Sequence, residues 1–444
     1  MIEHIPGRAD TMAAGAHAAP IAPPDPTAPW LFAGPAPSGG QEGWASHHGR
    51  VGPLPSAADA RGLIPVLEAS GLGGRGGSGF PVGTKWRSVA TRSRGDAVVV
   101  ANAAEGEPRS AKDRALLALR PHLVLDGAVL AAEAVGARDV ILYVGTEHRP
   151  AVEAARRAIA ERATASHGRG RHREPAIQLV EAPVGYVSGE ATAVVRFLNG
   201  GEAKPASRPP MPSDQGVRGL PTLVQNAESL AWASLIARHG DAWYRSLGRG
   251  GATPGGALVT LSGPVAAPGV REIRFGTTLR ELVAAAGGLT ADVQAVMIGG
   301  YFGGWVAVKP MWDAPLDPQS LAARSLGFGC GVVALLPADA CGVWATGQVM
   351  TYMAGESARQ CGPCVFGLGA IAGATRRLAA IHPNDDDLQD IVRWSEMIAG
   401  RGACHHPDGA AELLRSGLQV FGEEFRLHQY AHRCSRAAAA ARHT

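Results

Sequence analysis

Between residues 95 and 185 the apolar residues change their spacing several times, and this restricts the fold more than any other feature. "GDAVVVANAA" is a short unbroken apolar run, and "HLVLDGAVLAAEAVGA" is longer and repeats every three to four residues. "DVILYVGTE", "RPAVEAARRAIAERA" and "AIQLVEAPVG" continue as strand, helix and strand. Strands that alternate with helices predict a largely parallel sheet with both faces covered, because each crossover lays a helix on the sheet. Ligands of such sheets sit beyond the carboxyl ends of the strands.

The 444 residues allow two or three domains, and the spacing divides them. Residues 1–45 are rich in Ala, Pro and Gly and predict a disordered leader. Residues 46–245 carry the α/β pattern. Residues 253–335 read as strand, turn, strand, one helix closed by Gly-Gly, then strand again, which predicts a small α+β module. Residues 340–435 keep helical spacing and predict a helical bundle. A formal net charge of +3 and the lack of basic runs interleaved with aromatics exclude a nucleic-acid surface. No stretch of about 20 apolar residues predicts a membrane span. The start of the chain lacks the layout of a secretory signal. All six cysteines lie in the last third, too few for a disulfide framework, so a reducing cytoplasm is expected.

Three segments carry chemistry. "GLGGRGGSG" (residues 71–79) holds six glycines in nine residues, followed by "FPVGTKW". Such a backbone can turn its N–H groups onto an anion, with Arg75 and Lys85 adding positive charge, so phosphate is the natural guest. It lacks the Gly-Lys-Ser/Thr ending of a Walker loop, and no strand precedes it as a dinucleotide fingerprint requires. "VVVANAAEGEPRSAKDR" ends a strand at Asn102 and presents Glu105 and Glu107 where a cofactor edge would be held. In "GYVSGEAT … RPPMP … PTLVQNAESL", Gly189-Glu190 and Asn226 open helices around a rigid extended segment.

"ESARQCGPC" (residues 356–364) leaves two chemistries open. Cys361 and Cys364 fit a redox dithiol, or two of the thiolates that hold zinc or an iron–sulfur cluster with Cys404. A catalytic dithiol follows a strand in a βαβ unit. This pair lies in a helical region, which favours the metal.

The succession "GRGGSGFPVGTKW", "NAAEGEP…KDR", "GYVSGEAT", "RPPMP" with the later "PT.VQN.E", and "ES…CGPC" resembles the family of NADH-oxidising, flavin-bearing subunits of respiratory complex I and related soluble hydrogenases and formate dehydrogenases. The likeness runs over about residues 58–430. It implies a Rossmann-like FMN domain, a β-grasp module of the soluble-ligand-binding kind, and a C-terminal helical bundle with a [4Fe–4S] cluster. It further implies NAD as substrate and an electron-transfer partner, ferredoxin-like or a membrane redox subunit, that holds the protein in the cytoplasm or at the membrane periphery. By the same likeness FMN is held by Gly74, Arg75, Gly76, Gly77 and Lys85, by Asn102, Glu105 and Gly106, by Tyr186, Gly189 and Glu190, and by Asn226. Phe80, Glu107 and Arg208 face the nicotinamide nucleotide, and Cys361, Cys364 and Cys404 ligate the cluster.

The chain departs from the family pattern at Ala104, where an acid is usual, and at Gln225, where the pattern has Asn. Ser88 and Met211 replace aromatics, and Ala191 replaces a second Glu. Each lost stacking partner costs on the order of 1 kcal/mol. Together these changes weaken NADH roughly a hundredfold. Ala358 stands where the first cluster cysteine is expected, which leaves a three-iron cluster or a cubane completed by another donor, with His405, Glu356 and the remaining cysteines as candidates. Two functions follow. One is an electron-transfer flavoprotein oxidising NADH, and the other is a non-catalytic or donor-switched subunit that keeps the fold.

Overall fold

The computed structural model describes residues 30–35, 40–166, 174–207, 210–250 and 253–436. Helices α1 (Trp44–Val51) and α2 (Leu63–Ser70) precede the glycine-rich loop. That loop is closed at its base by a bridge between Gly73 and Pro81 and runs into α3 (Val82–Ala90). The α/β unit follows as β1 (Ala97–Ala103), α4 (Lys112–Leu119), α5 (Pro121–Val135), β2 (Ala137–Gly145), α6 (Arg149–Ser166), β3 (Ala176–Ala182), α7 (Ala191–Leu198), β4 (Thr222–Asn226) and α8 (Ala227–Ser246).

The four strands are parallel in the order β3-β2-β1-β4. The chain steps from β1 to β2 to β3 in one direction and then places β4 on the far side of β1. That reversal opens a crevice beyond the carboxyl ends of β1 and β4, where parallel sheets bind ligands. In this register Asn102 stands level with Asn226. The unbroken apolar runs are explained by burial on both faces. Val99, Ala101 and Leu142 join the core under α5 and α8, while Val98, Val100 and Tyr143 meet Val194 and Val217 on the other side.

The second unit is a mixed five-stranded sheet. It comprises β5 (Gly256–Ser262), β6 (Gly269–Arg274), helix α9 (Leu279–Ala285), β7 (Val293–Ile298), β8 (Gly304–Ala307) and β9 (Val332–Pro337), in the order β6-β5-β9-β7-β8. Thr278 and Glu281 form a capping box that starts α9. Alternation along β7 and β9 divides this sheet between two cores. Val296, Ile298 and Val333 face α9, whereas Met297, Ala334 and Leu336 face the helical bundle.

The bundle consists of α10 (Gly342–Gly355), a π-helical turn at Pro363–Leu368, α11 (Gly369–Ala379), α12 (Asp387–Ile398), α13 (His406–Val420) and α14 (Gly422–Tyr430). Met353, Leu368, Ile371, Ile391 and Phe425 fill its core. Among the described residues no single helix is long and apolar enough to cross a membrane.

One expectation is corrected. The leader predicted for residues 1–45 gives way to ordered chain at Trp30. The backbone N–H groups of Trp30, Leu31 and Phe32 donate to the buried Glu272 carboxylate at 2.9–3.2 Å, and Arg120 donates to the carbonyls of Phe32 and Ala33. A "WLF" triplet in an Ala/Pro-rich stretch was the signal, because three large apolar residues in a row seek a core. Residues 1–29 and 36–39 of that expectation lie outside the described residues.

Candidate functional site

Four loops meet beyond the ends of β1 and β4. The glycine-rich loop is closed by the Gly74 N–H to Phe80 carbonyl bond at 2.9 Å. Gly76 lies against Asn226, whose Cβ would stand 3.4 Å from a side chain placed there. Gly77, at φ +113, has open space beside it, as a backbone cradle for a ligand requires. Asn226 caps α8, its Oδ1 accepting from the N–H groups of Glu228 and Ser229 and its Nδ2 donating to Asp113 at 2.7 Å.

Asn102 ends β1 by donating through Nδ2 to the Gly189 carbonyl at 2.8 Å. The loops on either side are pressed backbone to backbone. A Cβ on Gly106 would come within 2.5 Å of the Tyr186 carbonyl oxygen, and one on Gly189 within 2.7 Å of the Ala104 carbonyl oxygen. Only glycine fits at both positions. Glu190 caps α7, accepting from the N–H groups of Thr192 and Ala193. Glu105 accepts from the Ser110 hydroxyl at 2.5 Å and from the N–H groups of Asp113 and Arg114, so it organises the start of α4. Burial opposes its charge, but Arg114 and Lys112 hold its pKa below the usual value.

Two predicted cations behave differently. Arg75 is buried and turned away from the loop. It donates to the Tyr244 hydroxyl at 2.9 Å and the Gly256 carbonyl at 2.8 Å, and it lies over the Phe275 ring at 4.7 Å. Its charge therefore joins the α/β unit to the second sheet, and the expectation that it faces a phosphate is corrected. The physical reason is Glu228, fully buried and 3.7 Å from the Arg75 guanidinium, which draws it inward. The Lys85 ammonium has no hydrogen bond or ion pair to any described residue. Burial lowers its pKa, and Glu190 only partly opposes this. A half-buried cation without a close partner, on the helix that follows the glycine-rich loop, suits an anionic group.

Of the residues expected to face the nucleotide, Phe80 is 51% exposed, its ring open for stacking. Glu107 is buried, and its carboxylate accepts from the Tyr186 hydroxyl at 3.1 Å and the N–H groups of Tyr301 and Arg109 at 2.8 and 3.1 Å. Burial raises its pKa to about 7. Glu107 thus knits the α/β unit to the second sheet. Arg208 lies outside the described residues.

The cysteine loop docks on the same place. The Glu356 carboxylate accepts from the Tyr186 N–H at 2.8 Å. Gln360 donates to the Pro205 carbonyl and accepts from Arg196 of α7. Cys361, Cys364 and Cys404 gather beneath. Burial pushes the Cys364 thiol up to about 12; the Ser357 hydroxyl opposes this as a hydrogen-bond partner, and the nearby Cys361 and Cys404 thiols add to it. Three soft donors and one hydroxyl around a π-helical turn fit an iron–sulfur cluster. Ala358 is buried and offers nothing. The other donors considered for the missing position are engaged elsewhere. The His405 side chain is 95% exposed beside Asp408, Cys330 donates to the Gly299 carbonyl, and Cys341 and Cys434 lie together in a different cluster.

His406, one residue further, went unremarked in the sequence. It is buried, bonded through Nε2 to the Met353 carbonyl at 2.8 Å, and its ring meets Tyr186 at 5.6 Å and Phe302 at 6.0 Å. Its Nδ1 has no partner among the described residues. The doubled His after Cys404 was the available signal, but which His turns inward depends on where α13 begins.

Comparisons with known proteins agree with this geometry. Residues 67–234 match the Nuo51 FMN-binding domain, residues 258–300 the SLBB domain, and residues 344–428 the NADH-ubiquinone oxidoreductase-F iron-sulfur binding region. The second F subunit of NADH-quinone oxidoreductase from Rhizobium meliloti is 32% identical over 380 residues, 84% of this chain and 90% of that protein. The F subunit of the Mycobacterium bovis enzyme is 32% identical over 82% of this chain and 84% of its own length. A crystal structure of an NAD+-reducing [NiFe]-hydrogenase in the H2-reduced state superposes with a TM-score of 0.79 at 28% identity, covering 90% of this chain and 70% of the hydrogenase chain. The α/β, SLBB and iron–sulfur units occur here in one chain, and the protein belongs to the family of NADH-quinone oxidoreductase F subunits.

Proposed function

We propose that the protein is the NADH-dehydrogenase-type, flavin-bearing electron-transfer component of a larger redox assembly. NADH is the donor, FMN and a [4Fe–4S] cluster are the resident cofactors, and a partner protein takes the electrons. The observation that carries this is the joint at Tyr186. Its N–H meets Glu356 of the cysteine loop, its hydroxyl meets Glu107 of the β1 loop, and its ring meets His406 beside Cys404. One residue thus joins the loops proposed to hold the flavin to the loop proposed to hold the cluster, which supports the passage of electrons between them.

Bound FMN supplies the exchange of a hydride on one side for single electrons on the other. The residues' tasks are binding and positioning. The backbone of Gly74, Gly76 and Gly77 and the Lys85 ammonium hold the phosphate. Asn102 and Asn226 order the strand ends beneath the ring system, with Gly106, Gly189, Glu105 and Glu190 shaping the adjoining loops. Arg75 serves the joint rather than the ligand. Phe80 stacks on the nucleotide, joined by Arg208. Cys361, Cys364 and Cys404 ligate iron, and the Ser357 hydroxyl, a hydrogen-bond partner of Cys364, adjoins Ala358 in the chain. Val365 and Phe366, 47% and 76% exposed beside Cys364, suit the docking of a redox partner, which is expected in the cytoplasm or on a membrane's cytoplasmic side.

A second reading is favoured by Met211, 65% exposed where the family pattern has an aromatic: the flavin chemistry survives with a different donor. Purification under argon, with assay of FMN, iron and sulfide and titration with NADH, tests both. A yellow-brown protein bleached by NADH is expected. Bleaching by dithionite but not NADH supports the changed donor, and a colourless protein without flavin and iron overturns the proposal.

A further inference from the structure

A second group of metal-ligating side chains lies at the opposite end of α10 from the cysteine loop. Cys341 caps the start of α10, Glu424 and His428 are one turn apart on α14, and Cys434 follows that helix. Their ligand atoms all lie within 4.8 Å of one another. Cys341 Sγ is 3.6 Å from His428 Nε2, and Cys434 Sγ is 3.7 Å from Glu424 Oε1. A tetrahedral zinc ion with bonds of about 2.3 Å to sulfur and about 2.0–2.1 Å to nitrogen or oxygen spans edges of about 3.6 Å. Two of the edges, Cys341–His428 and Cys434–Glu424, already have that length, and the other donor pairs lie within 4.8 Å.

Each ligand is also oriented from behind. His428 Nδ1 lies 2.8 Å from the Leu378 carbonyl, which can only accept, so Nδ1 carries the proton and Nε2 turns a lone pair inward. The Gly342 N–H fixes Glu424 Oε2 at 3.1 Å. The Trp344 and Arg436 N–H groups donate to the sulfurs of Cys341 and Cys434 at 3.3 and 3.4 Å. Glu424 is 7% exposed, yet among the described residues no lysine or arginine pairs with it. A carboxylate buried beside two thiols and an imidazole, with no cation, is costly. A divalent ion removes that cost.

We propose that Cys341, Glu424, His428 and Cys434 bind a structural zinc ion that fastens the chain after α14 to the start of α10. The two thiols lose their protons on binding, so two thiolates, one carboxylate and Zn2+ leave a net charge of −1 at the N-terminal end of α10, where the helix dipole favours it. With four protein ligands the site has no open position, which suits structure rather than catalysis. The 14 residues of α10 make it about 21 Å long, so this site stands apart from Cys361, Cys364 and Cys404 beyond the far end of that helix.

The test is metal analysis of the full chain, cofactors loaded, purified without a metal-affinity step. About one zinc per chain is expected, in addition to the cluster iron and retained through dialysis against EDTA. Cys434→Ala and Glu424→Gln should each lower zinc about tenfold or more while iron content and the EPR signal of the reduced cluster stay unchanged. Cys434 lies after the last helix and Gln keeps the acceptor for Gly342, so both variants preserve the bundle. Cobalt loading should give thiolate-to-metal charge transfer and tetrahedral visible bands that Cys434→Ala removes. Zinc below about a tenth per chain, zinc that follows Cys361 and Cys364 instead, or a Cys341–Cys434 disulfide in protein prepared anaerobically with zinc would each overturn the proposal.

Discussion

The two ends of α10 carry the same element in contrasting settings. At its carboxyl end, Glu356 and Gln360 reach across to Tyr186, Pro205 and Arg196 of the α/β unit, and the cysteines sit in a loop with Val365 and Phe366 exposed beside them. At its amino end, Cys341, Glu424, His428 and Cys434 all belong to the bundle and its final segment, drawn within 4.8 Å of one another. An electron-transfer centre must touch both its source and its exit, so it lies at a boundary between units. A fastening site needs only to join segments of one unit, so it closes on itself. Sulfur chemistry alone does not separate the two; what each loop is bonded to does.

The largest effect that would sharpen this contrast is Cys364→Ala. Removing one of three thiolates should lower iron about tenfold or more and abolish the EPR signal of the reduced cluster, while zinc at the other end is unchanged. If both metals disappear together, the two ends are one cooperative site and the contrast fails.

Gly106→Val comes next, because its side chain would run into the Tyr186 carbonyl, 2.5 Å from the new Cβ. Overpacking there should cost about 2–3 kcal/mol and release FMN, read by flavin content after gel filtration, with the bundle metals retained.

His428→Ala should lower the thermal midpoint of the zinc-loaded protein by about 5 °C and leave NADH-dependent bleaching of the flavin unchanged. Loss of bleaching would show that the amino end of α10 serves the reaction.

Lys85→Met removes one charged contact to the expected phosphate, so FMN affinity should fall about tenfold, measured by fluorescence titration of the apoprotein. An unchanged affinity would place the phosphate elsewhere.

The smallest effect is in pH dependence. Burial raises the Glu107 carboxyl from 4.5 to about 7, so the folded protein keeps a proton that the unfolded chain loses earlier. The stability tied to that proton is complete below about pH 4.5 and is lost as pH rises through about 7. Glu107→Gln should flatten the decline in thermal midpoint between about pH 5 and 8, and a parallel decline in both proteins would remove Glu107 as its source.

Periodicity was enough for the parallel sheet, the small mixed sheet and the bundle, because it reports which face of each segment must leave water. The spaced glycines and the capping Glu190 and Asn226 were legible for a similar reason: each does its work within a few residues of itself. The inward turn of Arg75 was not, since Glu228, Tyr244 and Gly256 lie more than 150 residues further along the chain. Nor was the anchoring of Trp30–Phe32 on Glu272, or the choice of His406 over His405 for burial. The meeting of Cys341 with Cys434 belongs to the same class, because the two stand far apart in the chain and come together only through the packing of α10 against α14. A sequence states what each residue can bond and whether it must be buried. Which distant partner it meets is decided by packing, where loop closure and the filling of the core select one arrangement among many that local pattern allows.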